Sequence, residues 1–291
     1  MKKRTILFPI FLLVLAMISI QSGAALAKSL FPIIGSFGMT ALRLFWSTIV
    51  LFIFFKPWKT KIYIDSIKYL ILYGISLGSM NSFFYLALEK IPLGITVALE
   101  FMGPLTISIF YSRRNTDLIW IIMAIVGIFL LIPINEKIPI LDNVGILYAL
   151  LAGVFWGIYI IFGQVSGIKY GSSTVAIGSF ISTLFFFPIG VYITDIDILF
   201  NSKIIPISFI VSILSTAFPY TLEMFALTRI STNVFSILMS IEPAIATIIG
   251  IIFLNEKLTF LQFFALLLII LASIGTTSTN YLIKKKNKLK N

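Results

Sequence analysis

Ten apolar stretches, each about long enough to cross a lipid bilayer, occupy nearly the whole of this 291-residue chain. An α-helix rises about 1.5 Å per residue, so roughly 20 apolar residues cross a hydrocarbon core of about 30 Å. The pattern predicts an all-α integral membrane protein with ten transmembrane helices. The predicted spans cover residues 6–27, 38–55, 67–88, 92–111, 117–133, 143–163, 173–193, 204–226, 231–253 and 258–282.

Composition excludes most soluble and catalytic classes. The chain is 59% hydrophobic and 11% charged, which is more apolar than a water-soluble domain can bury. It contains neither Cys nor His, which excludes disulfides, thiolate or imidazole metal ligands and a Ser-His-Asp triad. It also lacks a Gly-x-x-x-x-Gly-Lys phosphate loop, so an ion gradient or the substrate's own gradient must drive any transport. We therefore predict that the protein is not an enzyme and uses no metal or cofactor.

The net charge of +11 is distributed in a way that indicates membrane topology rather than nucleic-acid binding. Loops on one side of the predicted bundle hold 16 of the 22 basic residues, and the positive-inside rule makes that side cytoplasmic. Both termini are then cytoplasmic, and the basic tail lies near anionic lipid. The 16 residues are Lys2, Lys3, Arg4, Lys56, Lys59, Lys61, Lys68, Arg113, Arg114, Lys169, Arg229, Lys284, Lys285, Lys286, Lys288 and Lys290.

The first apolar stretch has some features of a secretory signal peptide. Lys2, Lys3 and Arg4 precede it, and Ala25-Leu26-Ala27 is typical of a cleavage site. The stretch is longer, however, than the roughly 7–15 residues of a signal-peptide core. Its removal would also leave an odd number of spans. We therefore expect it to be the first transmembrane helix.

The two halves of the chain resemble each other at an offset of 139 residues. This offset aligns Ala87-Leu88 with Ala226-Leu227, Pro104 with Pro243, and Asp117 with Glu256. Five spans per half give the halves opposite orientations, which is a recurrent plan of transporters. We predict two inverted five-helix repeats, residues 1–138 and 139–291. The alternative is a chance likeness between two hydrophobic halves, because membrane helices resemble one another.

Few charged residues lie inside the predicted spans. A charge at the bilayer centre costs about 2.5–3.5 kcal/mol, so each one needs a partner or water inside the bundle. Glu100 shares a helix face with Thr96, Gly103 and Pro104, and Glu242 comes directly before Pro243. Glu223 is predicted to be shallower and able to snorkel to the surface. The charged candidates for substrate or proton binding are Arg43, Glu100, Glu223 and Glu242, with Lys28 at the end of the first span.

Each candidate also has a structural interpretation. The depth of Arg43 allows an ion pair with Glu100 that only holds the helices in register. Glu242 has no obvious basic partner at its depth, which favours a functional role. Gln21, Ser22 and Tyr220 are candidates for hydrogen bonds to a ligand, although such residues also bridge membrane helices. The motifs Gly74-x-x-x-Gly78 and Gly153-x-x-x-Gly157 favour close helix crossings within the bundle over a homodimer contact.

Eight stretches of the chain carry a resemblance to a known family. They are Gln21–Pro32, Thr40–Leu44, Pro92–Leu105, Ser112–Arg114, Thr174–Ser179, Leu214–Met224, Ala226–Arg229 and Leu238–Ala244. In these stretches the chain resembles the EamA-type branch of the drug/metabolite transporter superfamily. The resemblance implies ten helices in two inverted halves, a bacterial cytoplasmic membrane location, and export of small amino acids such as threonine and homoserine in exchange for protons.

From these observations we predict a secondary transporter, monomeric or homodimeric, that exports small amino acids by alternating access. Arg43 or Lys28 would bind the substrate carboxylate, and Glu100 or Glu242 the ammonium group. Since burial disfavours a charged carboxylate, either glutamate is also a candidate for the coupling proton. Two alternatives remain at this point. One is an exporter of another metabolite or drug on the same fold, and the other is a membrane-embedded enzyme or lipid-handling protein.

Overall fold

The chain is a helical bundle. The computed structural model describes residues 4–111, 115–131, 141–229 and 241–288, together with Phe235, Leu238 and Met239. All regular elements of these residues are helical, which confirms the predicted all-α class. The helices are α1 (Arg4–Lys28), α2 (Phe31–Phe55), α3 (Ile64–Lys90), α4 (Leu93–Glu100), α5 (Met102–Tyr111), α6 (Asn115–Leu131), α7 (Asn143–Tyr170), α8 (Ser173–Thr194), α9 (Ile196–Leu199), α10 (Ile204–Ser212), α11 (Phe218–Leu227), α12 (Glu242–Leu254) and α13 (Phe260–Lys288), with a 3₁₀ turn at Pro57–Lys59 and a π turn at Ile213–Ala217.

Within the described residues, six helical segments are long and apolar enough to cross a membrane, which confirms a multi-helix membrane protein. Shorter apolar helices accompany them at Leu93–Ile107, Glu242–Leu254 and Phe260–Ala272. Arg113, Arg114, Lys137 and most of residues 231–240, the first part of the predicted ninth span, lie outside the described residues. The six long segments are Phe8–Lys28, Phe31–Phe55, Ile64–Lys90, Asn143–Tyr170, Ser173–Thr194 and Ile204–Leu227.

The first helix is part of the core. Leu13, Ala16 and Met17 are completely buried, and α1 packs against α11 and α12.

The second helix begins earlier than the sequence predicts, at Phe31 instead of residue 38, and it contains a kink at Gly35. Gly35 has φ 65°, a left-handed conformation that residues with a Cβ adopt at a cost. The kink separates the first turn of α2 from the predicted span.

The predicted fourth span is interrupted instead of continuous. The helix breaks at Phe101, between α4 and α5, three residues before Pro104. Proline has no N–H to donate to the carbonyl four residues earlier, so the Glu100 carbonyl loses its helical partner. In the second half of the chain, helix α12 begins near the aligned position: its first residue is Glu242, and Pro243 lies in its first turn. Glu100 is therefore the last residue of one helix, and Glu242 is the first residue of another.

The two GxxxG motifs pack neighbouring helices within the chain, as the sequence predicts. Gly74 and Gly78 face Ile181 and Phe186 of α8. In α7, Gly153 lies directly against the backbone at Glu100 and Gly103, where a methyl group on Gly103 would collide with the Gly153 carbonyl. Small residues permit this close approach of backbones. The contact holds the α4–α5 break, and with it Glu100, against α7.

Candidate functional site

A small cavity lies at the centre of the bundle. It brings together all four charged residues that the sequence places inside predicted spans, and two of the three uncharged polar candidates, Gln21 and Tyr220. Burying so many ionisable groups in one place is energetically costly, so their cluster marks a candidate functional site. The lining residues are Ile20, Gln21, Arg43, Met80, Asn81, Phe84, Glu100, Trp156, Tyr220, Glu223 and Glu242.

Arg43 is the single cation of this lining, and neutral groups hold it. Its Nε donates to Thr216 Oγ1 at 2.6 Å, and its Nη2 donates to the Ser215 carbonyl and to the Tyr220 hydroxyl, the latter at 3.2 Å. The aromatic ring of Tyr85 lies 5.0 Å from the guanidinium carbon. Arg43 makes no ion pair with an acidic side chain in the described part of the chain. The predicted alternative of an Arg43–Glu100 ion pair is therefore absent, although both residues line the cavity.

The π turn explains how Arg43 finds its partners. Phe218 N–H donates to the Ile213 carbonyl, five residues back, so this turn is one residue wider than an α-helical turn. Carbonyls of the widened turn accept from other helices: Leu214 from Ser19 Oγ of α1 at 2.6 Å, and Ser215 from Arg43 of α2. The turn thus joins α1, α2 and α11 beside the cavity.

Glu242 and Gln21 form a pair with unused acceptors. Gln21 Nε2 donates to Glu242 Oε1 at 2.8 Å. Glu242 Oε2 and Gln21 Oε1 are both buried, and neither has a hydrogen-bond partner among the described residues. A buried polar atom without a partner costs about 1–3 kcal/mol. The pair therefore presents two acceptors that a ligand with N–H or O–H groups would satisfy.

The backbone adds to the electrostatics at Glu242. This residue is the first of α12, and the amino end of a helix carries a partial positive charge of about half a unit. Glu100, by contrast, is the last residue of α4, and its carboxyl group makes no hydrogen bond within the described residues. The two carboxyl groups thus face the same cavity from differently polarised positions.

Glu223 is deeper than the sequence predicts. Only 3% of it is exposed, and it lines the cavity instead of snorkelling to the surface. Its Oε2 accepts a long hydrogen bond of 3.4 Å from the Tyr159 hydroxyl. The Tyr159 ring stacks on Tyr73 at 5.1 Å and lies 5.8 Å from Tyr220. The Glu223 carboxylate therefore contacts one member of a cluster of buried tyrosines, and the predicted route to water at the surface is wrong.

Asn81 is a lining residue that sequence reasoning missed. Its Oδ1 accepts from the Tyr220 hydroxyl at 3.0 Å, while its Nδ2 donates to the Leu77 carbonyl at 2.7 Å. Since the Tyr220 hydroxyl also accepts from Arg43, Asn81 fixes the orientation of the group that holds the guanidinium. The available signal was a lone amide within an apolar span of α3.

Two of the predicted site residues lie outside the cavity lining. Lys28 Nζ lies 3.2 Å from Glu256 Oε1, and the two oxygens of Glu256 accept from Leu93 N–H at 3.0 and 2.9 Å. We refer to Lys28, Leu93 and Glu256 as the Lys28 cluster. Here a carboxylate from the second half caps the amino end of α4, where the helix dipole favours an anion. Ser22 is partly buried and is not among the residues that line the cavity.

Comparison with known proteins identifies the family. A family model described as the EamA-like transporter family matches residues 143–278. A relative from Escherichia coli (strain K12), named threonine/homoserine exporter RhtA, is 48% identical over 290 residues, covering 100% of this chain and 97% of the relative. The chain belongs to the EamA-like transporter family. Membership confirms the prediction of a membrane transporter rather than an enzyme.

Other comparisons agree with this EamA-like transporter assignment. A relative from Salmonella typhimurium (strain LT2), also named threonine/homoserine exporter RhtA, is 48% identical over 278 residues, covering 96% of this chain and 94% of the relative. A solved crystal structure of a protein at 15% identity has a TM-score of 0.62, with 96% of this chain and 98% of that chain covered. At that identity the match shows the fold alone.

Proposed function

We propose that the protein is a secondary transporter of the bacterial cytoplasmic membrane that exports small hydroxylated amino acids such as threonine and homoserine. The observation that carries this proposal is the central cavity, where one cation and three carboxyl groups line a space otherwise made of apolar and uncharged side chains. An amino acid zwitterion offers one negative and one positive group, which this lining complements. The names of the full-length relatives give the proposal its substrate class.

Arg43 is our candidate for the substrate carboxylate. The partners of Arg43 in the structure are all neutral, so its charge remains available to an anion. Those partners take the N–H groups of Nε and Nη2, which leaves the two N–H groups of Nη1 to donate to the substrate carboxylate. Lys28, the alternative cation, is engaged by Glu256 outside the cavity. The structure therefore favours Arg43 for this role.

Glu242 is our candidate for the substrate ammonium group. Gln21 holds one of its oxygens, which orients the other, Oε2, as a buried acceptor without a partner. An ammonium group has three N–H donors and a positive charge, so it satisfies this atom better than a neutral donor does. Gln21 thus acts as a positioning residue for Glu242.

Glu100 is our candidate for the coupling proton. One positive and three negative side chains give the cavity a net charge of −2 when all are ionised, and a zwitterion leaves this total unchanged. A buried net charge is costly, so protons are expected to enter as substrate leaves. Glu100 has no hydrogen-bond partner in the described residues to hold its carboxylate, and a proton neutralises it without requiring fixed geometry. We infer export of amino acid in exchange for protons.

We further propose ten transmembrane helices in two inverted repeats, residues 1–138 and 139–291, with both termini in the cytoplasm. The interruption at Phe101 and the start of α12 at Glu242 support the repeat, because they occur near positions that the 139-residue offset aligns. Interrupted helices at a central site are typical of inverted-repeat transporters. The Lys/Arg asymmetry supports the orientation. One chain contains the whole cavity, so we propose that the monomer transports.

Counterflow in proteoliposomes tests the substrate class. Vesicles loaded with unlabelled homoserine or threonine should take up the labelled amino acid, and an imposed proton gradient should drive its accumulation. A panel of other amino acids and nucleotide sugars serves as comparison, and Glu89→Gln, at an exposed glutamate on α3, serves as the matched variant. Flux of a different metabolite class without flux of either hydroxylated amino acid would refute the substrate and leave only the fold.

A further inference from the structure

Gln21 has a buried acceptor that the proposed binding of carboxylate and ammonium leaves unused. Its side chain lines the cavity, only 1% of the residue is exposed, and Oε1 has no hydrogen-bond partner among the described residues. The orientation of the amide has a physical cause. Glu242 Oε1 accepts from the amide nitrogen at 2.8 Å, so the amide oxygen points away from that carboxylate.

The chemistry of the substrate determines which of its groups can reach this oxygen. A carboxylate only accepts hydrogen bonds, so it cannot pair with an amide oxygen, and Arg43 offers it a better site. The ammonium group is attracted to the charged Oε2 of Glu242. The donor that remains in threonine and in homoserine is the side-chain hydroxyl.

We propose that Gln21 determines specificity for hydroxylated amino acids, with its Oε1 accepting the hydrogen bond of the substrate hydroxyl. This inference rests on the proposed function and adds a residue for the third polar group of the substrate. The hydroxyls of threonine and homoserine are attached to adjacent carbons, and the extra rotatable bond of homoserine lets both reach one acceptor. Ile20, Met80 and Phe84, which also line the cavity, can offer the substrate only apolar contact.

Discrimination follows from the cost of leaving a buried acceptor unpaired. A substrate without the hydroxyl excludes water from Oε1 but offers it no hydrogen-bond donor. Sites built to bind a hydroxyl reject such analogues strongly. Threonine and homoserine share one deoxy analogue, 2-aminobutyrate, which keeps the carboxylate, the ammonium group and the carbon chain. We expect the wild-type protein to transport either hydroxylated amino acid with a kcat/KM about 10- to 100-fold above that of 2-aminobutyrate.

The test compares these three amino acids in proteoliposome counterflow. Gln21→Met keeps the length of the side chain but removes the acceptor. The variant should therefore transport threonine, homoserine and 2-aminobutyrate with similar kcat/KM. Gln21→Asn retains an acceptor that is one carbon further back, so the longer homoserine should gain over threonine. Ile18→Met, on the exposed face of α1, is the control for introducing methionine and should keep the wild-type ratio.

The outcomes separate this inference from the proposed function. If Gln21 only positions Glu242, Gln21→Met lowers the flux of all three amino acids equally and leaves the ratio unchanged, which overturns the inference. A wild-type protein that transports homoserine and 2-aminobutyrate equally well also overturns it, whether or not the variants fold. If the wild type transports none of the three, the proposed substrate class fails along with it.

Discussion

Two glutamates at opposite ends of α12, Glu242 buried and Glu256 partly buried, experience contrasting environments. Glu256, just beyond the carboxyl end of the helix, accepts hydrogen bonds from Lys28 and from the Leu93 N–H with both of its oxygens. Glu242, at the amino end, has one oxygen bound by Gln21 and the other unpaired. The more deeply buried of the two carboxylates, that of Glu242, is therefore the one with fewer protein donors.

Structural and functional charges in the bundle differ in how completely the protein satisfies them. In the Lys28 cluster, a lysine, a backbone N–H and a carboxylate satisfy one another and join the two halves of the chain. In the cavity, Arg43 is held by neutral groups, and Glu100, Glu223 and Glu242 are held by few donors or none. Protein contacts leave the cavity charges incomplete, and a zwitterion with a proton can complete them.

Glu242→Gln is the substitution from which we expect the largest effect on transport. The variant keeps the size of the side chain but removes the charge, so we expect gradient-driven export to fall by about 100-fold, the loss of one charged hydrogen bond to the substrate. Folding should hold, because the carboxylate oxygen that changes has no partner in the described residues. The measurements are flux in proteoliposomes and the melting temperature in detergent, with Glu89→Gln as the matched control. Wild-type flux in Glu242→Gln would remove this residue from the site.

A double-mutant cycle tests whether Arg43 and Glu100 interact. Arg43→Gln should lower the free energy of unfolding by roughly 2 kcal/mol or more, because three hydrogen bonds from a charged group are lost. Glu100→Gln should change it by less than about 0.5 kcal/mol, since no ion pair is present. The double variant should then equal the sum within about 0.5 kcal/mol. Recovery of stability in the double variant would instead indicate the ion pair that the sequence allowed.

The sequence predicted the members of the cavity better than their arrangement. Arg43, Glu100, Glu223 and Glu242 were found because charges inside apolar spans are costly and therefore rare. The same rule selected Lys28, since depth along a helix does not reveal a partner such as Glu256, 228 residues away in sequence. The orientation of the Gln21 amide depends on Glu242, 221 residues away, and was equally hidden.

Other features had no reliable signal in the sequence. The π turn at Ile213–Ala217 is a change in hydrogen-bond pattern that no residue type specifies, yet it supplies the carbonyl that holds Arg43. Asn81 was missed because a single amide in a membrane helix commonly bonds its own backbone, and this one does so through Nδ2. By contrast, Pro104 was a usable signal, because proline removes a backbone donor wherever it occurs, yet the predicted fourth span ran through it without interruption.

The smallest effect that we predict concerns the Lys28 cluster. Glu256→Ala removes the cap of α4 and leaves Lys28 without its partner, so the free energy of unfolding should fall by about 1 kcal/mol, a typical loss for a helix cap. The site is partly exposed, and the ion pair itself therefore contributes little of this. Lys28→Met should cost less, because the Leu93 N–H keeps its acceptor. Both variants should retain the wild-type preference among amino acids in counterflow, since neither residue lines the cavity. If Lys28→Met instead changed the substrate preference and left the stability unchanged, Lys28 would belong to the binding site.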